Sequence, residues 1–401
     1  MERPRIAASP AAAEQLNSML GNRALNRAPP VGYGSACMRE SRPKLVLLDG
    51  HAGLREQIAA TLGPLYAIKD FALTSDALRY ARVTEPNAIL ISEERAQDMN
   101  YALIKSMRLD PLFAMTPIVI LLNGNNSEQH VTALRAGATT CLAKPYKLSS
   151  FVNIISSALS ASVEKRWESL PPLQAAALKC GISVFGSVSD RTAAGEDVPY
   201  SEISIACQPL LAAVNDDDVQ TLLKGVRDHD NYTFSHSLRV SVFLSMLGRA
   251  CGLTGEDQAI LTIGGLLHDI GKIAIPSLIL NKAGKLNDDE FQIMKGHVPA
   301  TLKLLEQSPG LPRGALVIAG QHHEKIDGSG YPNGLSGTGL NDLARMAAIA
   351  DVFVALTDRR VYKNAMAPER AFGIMSGEMR QHLDMHLLAL FRQMLLDTKL
   401  Q

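Results

Sequence analysis

Short apolar segments alternate with helical patterns between residues 43 and 160, and this alternation restricts the fold more than any other feature. The apolar segments cover residues 45–48, 65–69, 88–91, 118–122 and 141–143. Apolar strands separated by helices are typical of a parallel sheet that is covered on both faces. We therefore predict an α/β doubly wound domain over residues 43–160.

The rest of the chain has no strand-like pattern. Residues 1–42 are rich in Ala, Arg and Pro, which predicts a flexible tail. Residues 161–200 predict a helical connector, broken at Pro171-Pro172 and ending in a polar loop over 188–200. Residues 201–401 predict a separate all-α domain.

The composition excludes several classes of protein. Hydrophobic residues make up 46% and charged residues 20%, as in globular proteins, and 40 basic residues balance 40 acidic ones. This balance argues against a nucleic-acid binder, and no apolar run approaches a membrane span of about 18 residues. The five cysteines form no CxxC pair, so we expect reduced thiols in a cytoplasmic protein.

Seven side chains of the helical region are of the metal-ligand type and recur at similar intervals. They are His236, His268, Asp269, His297, His322, His323 and Asp351. Imidazoles with carboxylates suit Fe, Mn, Ni, Co or Zn better than Ca or Mg. Seven donors suit two ions with one bridging carboxylate, and paired ions of this kind serve phosphoryl transfer.

A single histidine on an apolar helix is more often a core residue than a ligand. Two His-containing dipeptides together with evenly spaced single ligands argue against chance, and a buried cluster of imidazoles and carboxylates without a metal is costly. The other histidines are interpreted as surface or capping residues. They are His51, His130, His229, His382 and His386.

Two motifs in this region resemble a known family. The run His268-Asp269-Ile270-Gly271-Lys272 is similar to the HDxGK signature of HD domains, and residues 322–332 resemble the HHExxDGxGYP signature of HD-GYP domains. The resemblance implies an all-α HD-superfamily bundle in a bacterial phosphodiesterase. Such enzymes hydrolyse the second messenger cyclic di-GMP to pGpG and on to GMP, with two or three metal ions, often iron or manganese.

The resemblance also implies roles for individual residues. The ligands implied for the first metal are His236, His268, Asp269 and Asp351. Those implied for the second are the bridging Asp269 with His297, His322 and His323. Lys272 would contact the substrate phosphate or the nucleophilic water, and with Asp269 it forms the expected catalytic pair. The implied substrate-binding residues are Lys272, Gly330, Tyr331, Arg360 and Lys363.

The sequence departs from the family pattern at four positions. Tyr232 stands where trinuclear members have a glutamate, so we predict two divalent ions, iron or manganese first, with nickel, cobalt or zinc as alternatives. Lys363 replaces an arginine and loses its bidentate contact with phosphate. Val354 and Val361 replace an aspartate and a proline. None of these changes removes an expected metal ligand.

The domain over 43–160 resembles the receiver domain of response regulators, which implies a flavodoxin-like layout and two-component signalling. Asp49 and Lys144 match receiver residues, but Gly50 replaces the second acid and Ser92 stands at the phosphoacceptor position. Ser92 cannot form an acyl phosphate, and Glu93 should point to the opposite side of the strand end. We predict a non-phosphorylatable receiver for regulation or homodimerisation, in which Asp49 and Lys144 form an ion pair or a cap.

Three functions remain open from the sequence. The first is an active cyclic di-GMP phosphodiesterase. The second is a weakly active or inactive signalling scaffold that binds nucleotide or protein partners through the receiver-like domain or the loop that contains Tyr331. The third is a metal-dependent phosphohydrolase that acts on another cyclic dinucleotide or on a nucleotide.

Overall fold

The structure is a computed structural model that describes residues 42–398, except for residues 64, 98–100, 147, 228, 230, 281, 283 and 359–365. The tail predicted over residues 1–42 therefore lies outside the described residues up to position 41. So do Arg360, Val361 and Lys363.

Five parallel strands form the sheet. They are β1 (Lys44–Leu48), β2 (Ala67–Phe71), β3 (Ala88–Ser92), β4 (Ile118–Leu122) and β5 (Thr140–Ala143), in the order β2-β1-β3-β4-β5. Every residue of β3 and β4 is buried, because helices cover both faces of the sheet. This order is the flavodoxin-like form of the doubly wound fold, and the predicted fold class is confirmed.

Six helices accompany the sheet. They are α1 (Ala52–Leu62), α2 (Thr74–Thr84), α3 (Glu93–Gln97), α4 (Ala102–Leu109), α5 (Ser127–Ala136) and α6 (Leu148–Arg166). Alternate strand residues face two separate apolar layers, with Val46 and Ile120 on one side and Leu47 and Leu121 on the other. The second strand begins two residues later than its apolar run predicts, and the short α3 was not predicted.

The remaining described residues form helices and short 3-10 turns. The helices are α7 (Pro172–Ala193), α8 (Tyr200–Ala206), α9 (Gln208–Val214), α10 (Val219–Arg227), α11 (Tyr232–Ala250), α12 (Glu256–Leu267), α13 (Ser277–Leu280), α14 (Asp288–Lys295), α15 (His297–Leu305), α16 (Arg313–Gln321), α17 (Asp342–Thr357), α18 (Pro368–Ser376) and α19 (Met385–Asp397). One continuous apolar core runs through this region.

Helix α6 belongs to both cores. Its Phe151 and Ile155 pack beneath the sheet, whereas Val163 and the following Trp167 pack in the helical core. Trp167 is buried, and its indole Nε1 donates to the carbonyl of Gly225 over 2.8 Å. A single helix therefore joins the two units without an intervening loop.

The loop predicted over 188–200 is wrong in its first part, because α7 continues to Ala193. Val184, Phe185 and Val188 are buried at helical spacing, and this apolar face outweighs the polar residues around it. The four cysteines from Cys141 onward carry free thiols. Over the residues that the structure describes, no helix is long and apolar enough to cross a bilayer.

Candidate metal centre

Five of the seven ligand-type side chains lie at the ends of helices. His268 and Asp269 follow α12, His297 begins α15, and His322 and His323 follow α16. The two remaining residues, His236 and Asp351, lie within α11 and α17. Helices that differ widely in sequence position thus place all seven predicted ligands in one buried cluster.

Gly271 explains how the turn after Asp269 reaches α15. A Cβ atom at Gly271 would lie 2.3 Å from the carbonyl oxygen of His297 and 2.4 Å from the backbone nitrogen of Thr301. Only glycine allows this approach, and the Gly271 N–H donates to Thr301 Oγ1 over 2.9 Å. The close packing brings Asp269 beside His297.

The donors divide into two groups that share Asp269. His236, His268 and Asp269 form one group, in which the ligand atoms all lie within 4.8 Å of one another. The other group, with the same spacing, contains Asp269, His297, His322 and His323. Asp269 Oδ2 lies 3.3 Å from His268 Nε2, and Oδ1 lies 3.2 Å from His297 Nε2. One carboxylate thus faces both groups.

Asp351 contacts members of both groups. Its Oδ1 lies 2.9 Å from His236 Nε2, and its Oδ2 lies 3.7 Å from His323 Nδ1. The structure therefore brings all seven predicted ligands together. The two groups divide the other six as the family resemblance implies, whereas Asp351 lies near members of both.

Three of the imidazoles have a ring orientation suited to metal binding. The Nδ1 atoms of His268, His297 and His322 lie 2.7, 2.7 and 2.9 Å from the carbonyl oxygen three residues earlier. A carbonyl oxygen only accepts hydrogen bonds, so each Nδ1 carries the proton and each Nε2 holds a free lone pair. None of these Nε2 atoms, nor Asp269 Oδ1, has a hydrogen-bond partner in the described part of the chain.

Such unpartnered buried atoms fit a divalent metal with nitrogen and oxygen ligands. Buried polar atoms are otherwise nearly always hydrogen-bonded. Burial, together with the neighbouring imidazoles, lowers the pKa of His322 well below its usual value and that of His323 to about 3. Both rings are therefore neutral near pH 7, which is the form that binds metal.

Lys272 lies beside the shared carboxylate. Its Nζ contacts Asp269 Oδ2 across one turn of the 3-10 segment Ile270–Ala274. Burial favours protonation of Asp269, but Lys272 and His268 outweigh it and hold the pKa of this carboxyl well below its usual range. Asp269 is thus ionised and able to bridge.

The loop after His323 presents Tyr331 to the cluster. The Tyr331 ring lies over His323 with centroids 4.7 Å apart, and its backbone N–H donates to the carbonyl of His323 over 3.2 Å. Burial, with Asp351 and Asp269 nearby, raises the pKa of Tyr331, so its hydroxyl stays protonated. A Cβ at Gly330 would meet the Lys325 nitrogen at 2.5 Å, so this glycine permits the close loop.

Residues 220–387 match the family model described as "HD domain". This chain carries an HD domain. The match includes every residue of the cluster described above. The HD domain lies within the helical unit, which follows a sheet domain with the strand order of receivers.

Several curated proteins are similar to this chain. A 3'3'-cGAMP-specific phosphodiesterase 1 of Vibrio cholerae is 40% identical over 45% of this chain and 40% of its own length. The cyclic di-GMP phosphodiesterase response regulator RpfG of Xanthomonas campestris is 28% identical over 82% of this chain and 81% of its own length. A cyclic di-GMP phosphodiesterase of Pseudomonas aeruginosa is 36% identical over 41% of this chain and 40% of its own length.

The extent of these alignments differs. This chain spans about two fifths of the length of the first and third relatives, so the similarity to them concerns one part of each protein. The alignment with the response regulator covers most of both chains and therefore extends beyond the HD domain.

Glu324 is a further functional candidate that the sequence analysis did not single out. Its buried carboxylate accepts hydrogen bonds from the backbone N–H of Asn333 at 2.7 Å and of Leu335 at 3.0 Å. Glu324 follows the histidine pair directly, and buried carboxylates need partners. The position of Glu324 in the HHExxDGxGYP signature could have indicated this role from the sequence. It ties the Tyr331 loop to the end of α16.

The departures from the family pattern occupy different places in the HD domain. The Tyr232 ring stacks on His236, with centroids 5.7 Å apart, and supplies no carboxylate there. Val354 is buried in the apolar core. The two expected phosphate contacts, Arg360 and Lys363, lie outside the described residues.

Asp49 and Lys144, which match receiver residues, form no ion pair with each other in the described contacts. Asp49 Oδ1 accepts from the His51 N–H over 2.6 Å, and Lys144 Nζ donates to Asn123 Oδ1 over 2.8 Å. Asp49 therefore holds the turn before α1, but it does not form the predicted cap, because the N-cap His51 and the first helical turn receive no side-chain cap hydrogen bond. Ser92 is buried, with no hydrogen-bond partner for its hydroxyl in residues that the structure describes.

Two expectations for polar side chains are wrong. Glu93 was expected to point away, but β3 ends at Ser92 and Glu93 begins α3, so strand alternation does not apply. Its Oε2 accepts from the Asn123 N–H over 2.7 Å at the end of β4. His229 was expected at the surface or in a cap, and the surface role is wrong: it is 5% exposed and lies against Trp167, while its Nδ1 accepts from the Asn231 N–H over 3.3 Å.

Proposed function

We propose that this chain is a metal-dependent phosphodiesterase that hydrolyses a cyclic dinucleotide. The observation that carries the proposal is the pair of ligand groups sharing Asp269, with unpartnered Nε2 atoms and with Lys272 beside the shared carboxylate. The HD-domain match and the phosphodiesterase names of the relatives support the reaction class.

Two divalent ions, when bound, would supply Lewis acidity toward the phosphoryl oxygens and lower the pKa of water. His236, His268 and Asp351 with the bridging Asp269 would hold the first ion, and the second group would hold the other. The buried walls exclude bulk water and strengthen electrostatic interactions in the site.

Two side chains would act directly on the substrate. Lys272 carries a positive charge at the edge of the cluster and would stabilise the charge that develops on the phosphate. Tyr331 keeps its phenolic proton and would donate a hydrogen bond, while its ring would stack on a nucleobase. Gly330 would act by allowing the loop to approach, and Arg360 and Lys363 remain proposed phosphate contacts.

The proposed ions are transition metals. The donor set of five imidazoles and two carboxylates favours iron or manganese, with nickel, cobalt or zinc as alternatives. Tyr232 at the position of an expected third-metal ligand supports a dinuclear site.

Cyclic di-GMP is the first proposed substrate, and 3'3'-cGAMP is the specific alternative. The response regulator that aligns over most of both chains is named for cyclic di-GMP. Relatives with 35–40% identity over 41–45% of this chain are named for 3'3'-cGAMP. The products would be pGpG, GMP or the corresponding linear dinucleotide.

The receiver-like unit would act without phosphotransfer. Ser92 replaces the carboxylate nucleophile and Gly50 the second acid, so we assign residues 43–160 to regulation or homodimerisation. The proposed limits are 161–200 for the connector and 201–401 for the HD-GYP unit. Protein partners would bind through the receiver-like unit or the Tyr331 loop.

A turnover assay tests the proposal. The protein is purified anaerobically, loaded with Fe²⁺ or Mn²⁺, and given cyclic di-GMP or 3'3'-cGAMP in parallel, with products resolved by chromatography. We expect linear product from the wild type and none from the His268→Ala, Asp269→Ala variant. A matched control is His386→Ala, which changes an exposed histidine.

The scaffold alternative makes a different prediction in the same assay. A chain that binds two ions and leaves both dinucleotides intact would contradict the phosphodiesterase proposal. It would favour a scaffold that binds nucleotide or protein partners, or an enzyme for another phosphoester.

A further inference from the structure

His236 differs from the other ligand-type imidazoles in how its Nδ1 is held. His268, His297 and His322 each bond to a backbone carbonyl three residues earlier. His236 Nδ1 instead lies 3.3 Å from Asp358 Oδ2, a carboxylate that follows α17. Both side chains are buried, so no solvent screens this contact.

Asp358 is itself fixed from two sides. Its backbone N–H donates to the carbonyl of Val354 over 2.7 Å, which ties it to the last turn of α17. Its carboxylate pairs with Arg239, which lies one turn after His236 on α11. Arg239 Nη2 also donates to Thr357 Oγ1 over 3.3 Å. The carboxylate thus bridges the ligand helix and the end of α17.

The geometry has a direct chemical consequence for His236. A carboxylate only accepts, so Nδ1 donates a proton to Asp358. Nε2 also faces a carboxylate, Asp351, and would hold its lone pair once a metal replaces that contact. That Nε2 lies 2.9 Å from Asp351 Oδ1 and 3.5 Å from Asp269 Oδ2, within the candidate first metal group. A charged acceptor on Nδ1 also makes the imidazole a stronger donor to a metal than a neutral carbonyl does.

We propose that Asp358 is a positioning residue that orients His236 and strengthens one of the two metal sites, with Arg239 holding Asp358 in place. The inference rests on the proposed function only in that His236 binds a metal. We expect Asp358 to affect metal binding at the first group only. In the other group, backbone carbonyls hold the Nδ1 atoms of His297 and His322, and none of its imidazoles contacts Asp358 among the described interactions.

Metal titration of the full chain tests the assignment. Mn²⁺ is titrated by calorimetry into chelator-treated wild type and Asp358→Asn, and bound metal is counted after dialysis. We expect two ions in the wild type. Asp358→Asn should weaken one site by about 10–100-fold, the usual effect of losing such a partner, and leave the other unchanged. Asp358→Glu should restore part of the loss.

Two further variants separate positioning from folding. Asp358→Asn leaves Arg239 buried without its counter-ion, so a double variant with Arg239→Met removes both charges together. It should still lose one site selectively while retaining the wild-type near-UV circular dichroism spectrum. Asp384→Asn is the matched control, because Asp384 pairs with Arg345 and contacts none of the seven ligand-type residues in the described interactions.

The outcomes distinguish the inference from the proposed function. Unchanged affinity at both sites in Asp358→Asn, or equal loss at both, would overturn the positioning role even if the wild type hydrolyses a cyclic dinucleotide. A wild type that binds two ions but hydrolyses neither dinucleotide would contradict the phosphodiesterase proposal. Selective loss of one metal site in Asp358→Asn would then still support the positioning role. A wild type that binds neither Mn²⁺ nor any of the other proposed ions, Fe²⁺, Ni²⁺, Co²⁺ and Zn²⁺, would overturn both.

Discussion

Lys272 Nζ contacts Oδ2 of Asp269, the carboxylate shared by the two candidate metal groups. The ammonium therefore lies where an ion of the first group would also approach Asp269. A lysine in this place can balance the carboxylate before a metal binds and face a substrate phosphate afterwards. These two roles of Lys272 differ from that of a metal ligand and can be tested separately.

Lys272→Gln should lower kcat by about 100-fold or more while two ions still bind, because it removes one positive charge from the transition state and no ligand. Steady-state turnover together with Mn²⁺ titration checks this expectation. Lys303→Gln, on the exposed side of α15, is the control for loss of a lysine. Loss of metal binding in Lys272→Gln would show that the lysine is structural.

Glu324→Ala should free the Tyr331 loop, because the backbone N–H groups of Asn333 and Leu335 lose their buried acceptor. Each such loss costs about 1–3 kcal/mol. We expect a raised KM, faster amide exchange across residues 327–336 and unchanged metal stoichiometry. Ser329→Ala serves as the control, since Ser329 is exposed and bonds only to Asp327 in the described contacts. Unaltered exchange in Glu324→Ala would contradict the anchoring role.

The fold class was predictable because local pattern and tertiary environment agree in the sheet. The apolar run over 118–122 coincides with β4, since a strand buried on both faces needs nothing but apolar residues. The run over 65–69 was misplaced by two residues, because β2 lies at the sheet edge and is only partly buried. An edge strand leaves a weaker apolar signature.

The ligand set was predictable from residue type, spacing and family motif, but its supporting contacts were not. Asp358 comes 122 residues after His236, and nothing local in the sequence links them. His229 was assigned to the surface or to a cap because a lone histidine gives no sign of the indole that covers it. Contacts between distant residues depend on helix packing, which periodicity alone does not determine.

The receiver-like domain should not accept a phosphoryl group. Acetyl phosphate with Mg²⁺ should leave the intact mass of the chain unchanged, because Ser92 replaces the carboxylate nucleophile and Gly50 the second acid. Ser92→Asp alone should also stay unmodified. A phosphate added to the wild type at the end of β3 would contradict the assignment of a receiver that works without phosphotransfer.

The metal-free chain should lose stability as the pH falls below the ordinary histidine value. The folded-state pKa values of His322 and His323 lie below 6.5, so the unfolded chain binds more protons between those values. The free energy of unfolding should therefore fall by about 1.4 kcal/mol per pH unit for each imidazole.

Urea unfolding with a chelator present, from pH 7.5 to 5.0, measures this slope. His322→Gln should reduce it, because one of the two titrating groups is gone. A slope that is the same in this variant, or stability that rises on acidification, would contradict neutral buried imidazoles.

Trp167 should report the junction between the sheet unit and the HD domain, because it is the one tryptophan in the chain and is buried there. Trp167→Phe loses the hydrogen bond to Gly225 and should cost about 1 kcal/mol, whereas Trp167→Ala leaves a cavity and should cost about 3–5 kcal/mol. Urea unfolding followed by far-UV circular dichroism measures both losses. Since α6 spans both cores, tryptophan fluorescence of the wild type should change together with the loss of helical signal. A fluorescence transition at lower urea than the helical one would show that the junction opens before the HD domain unfolds.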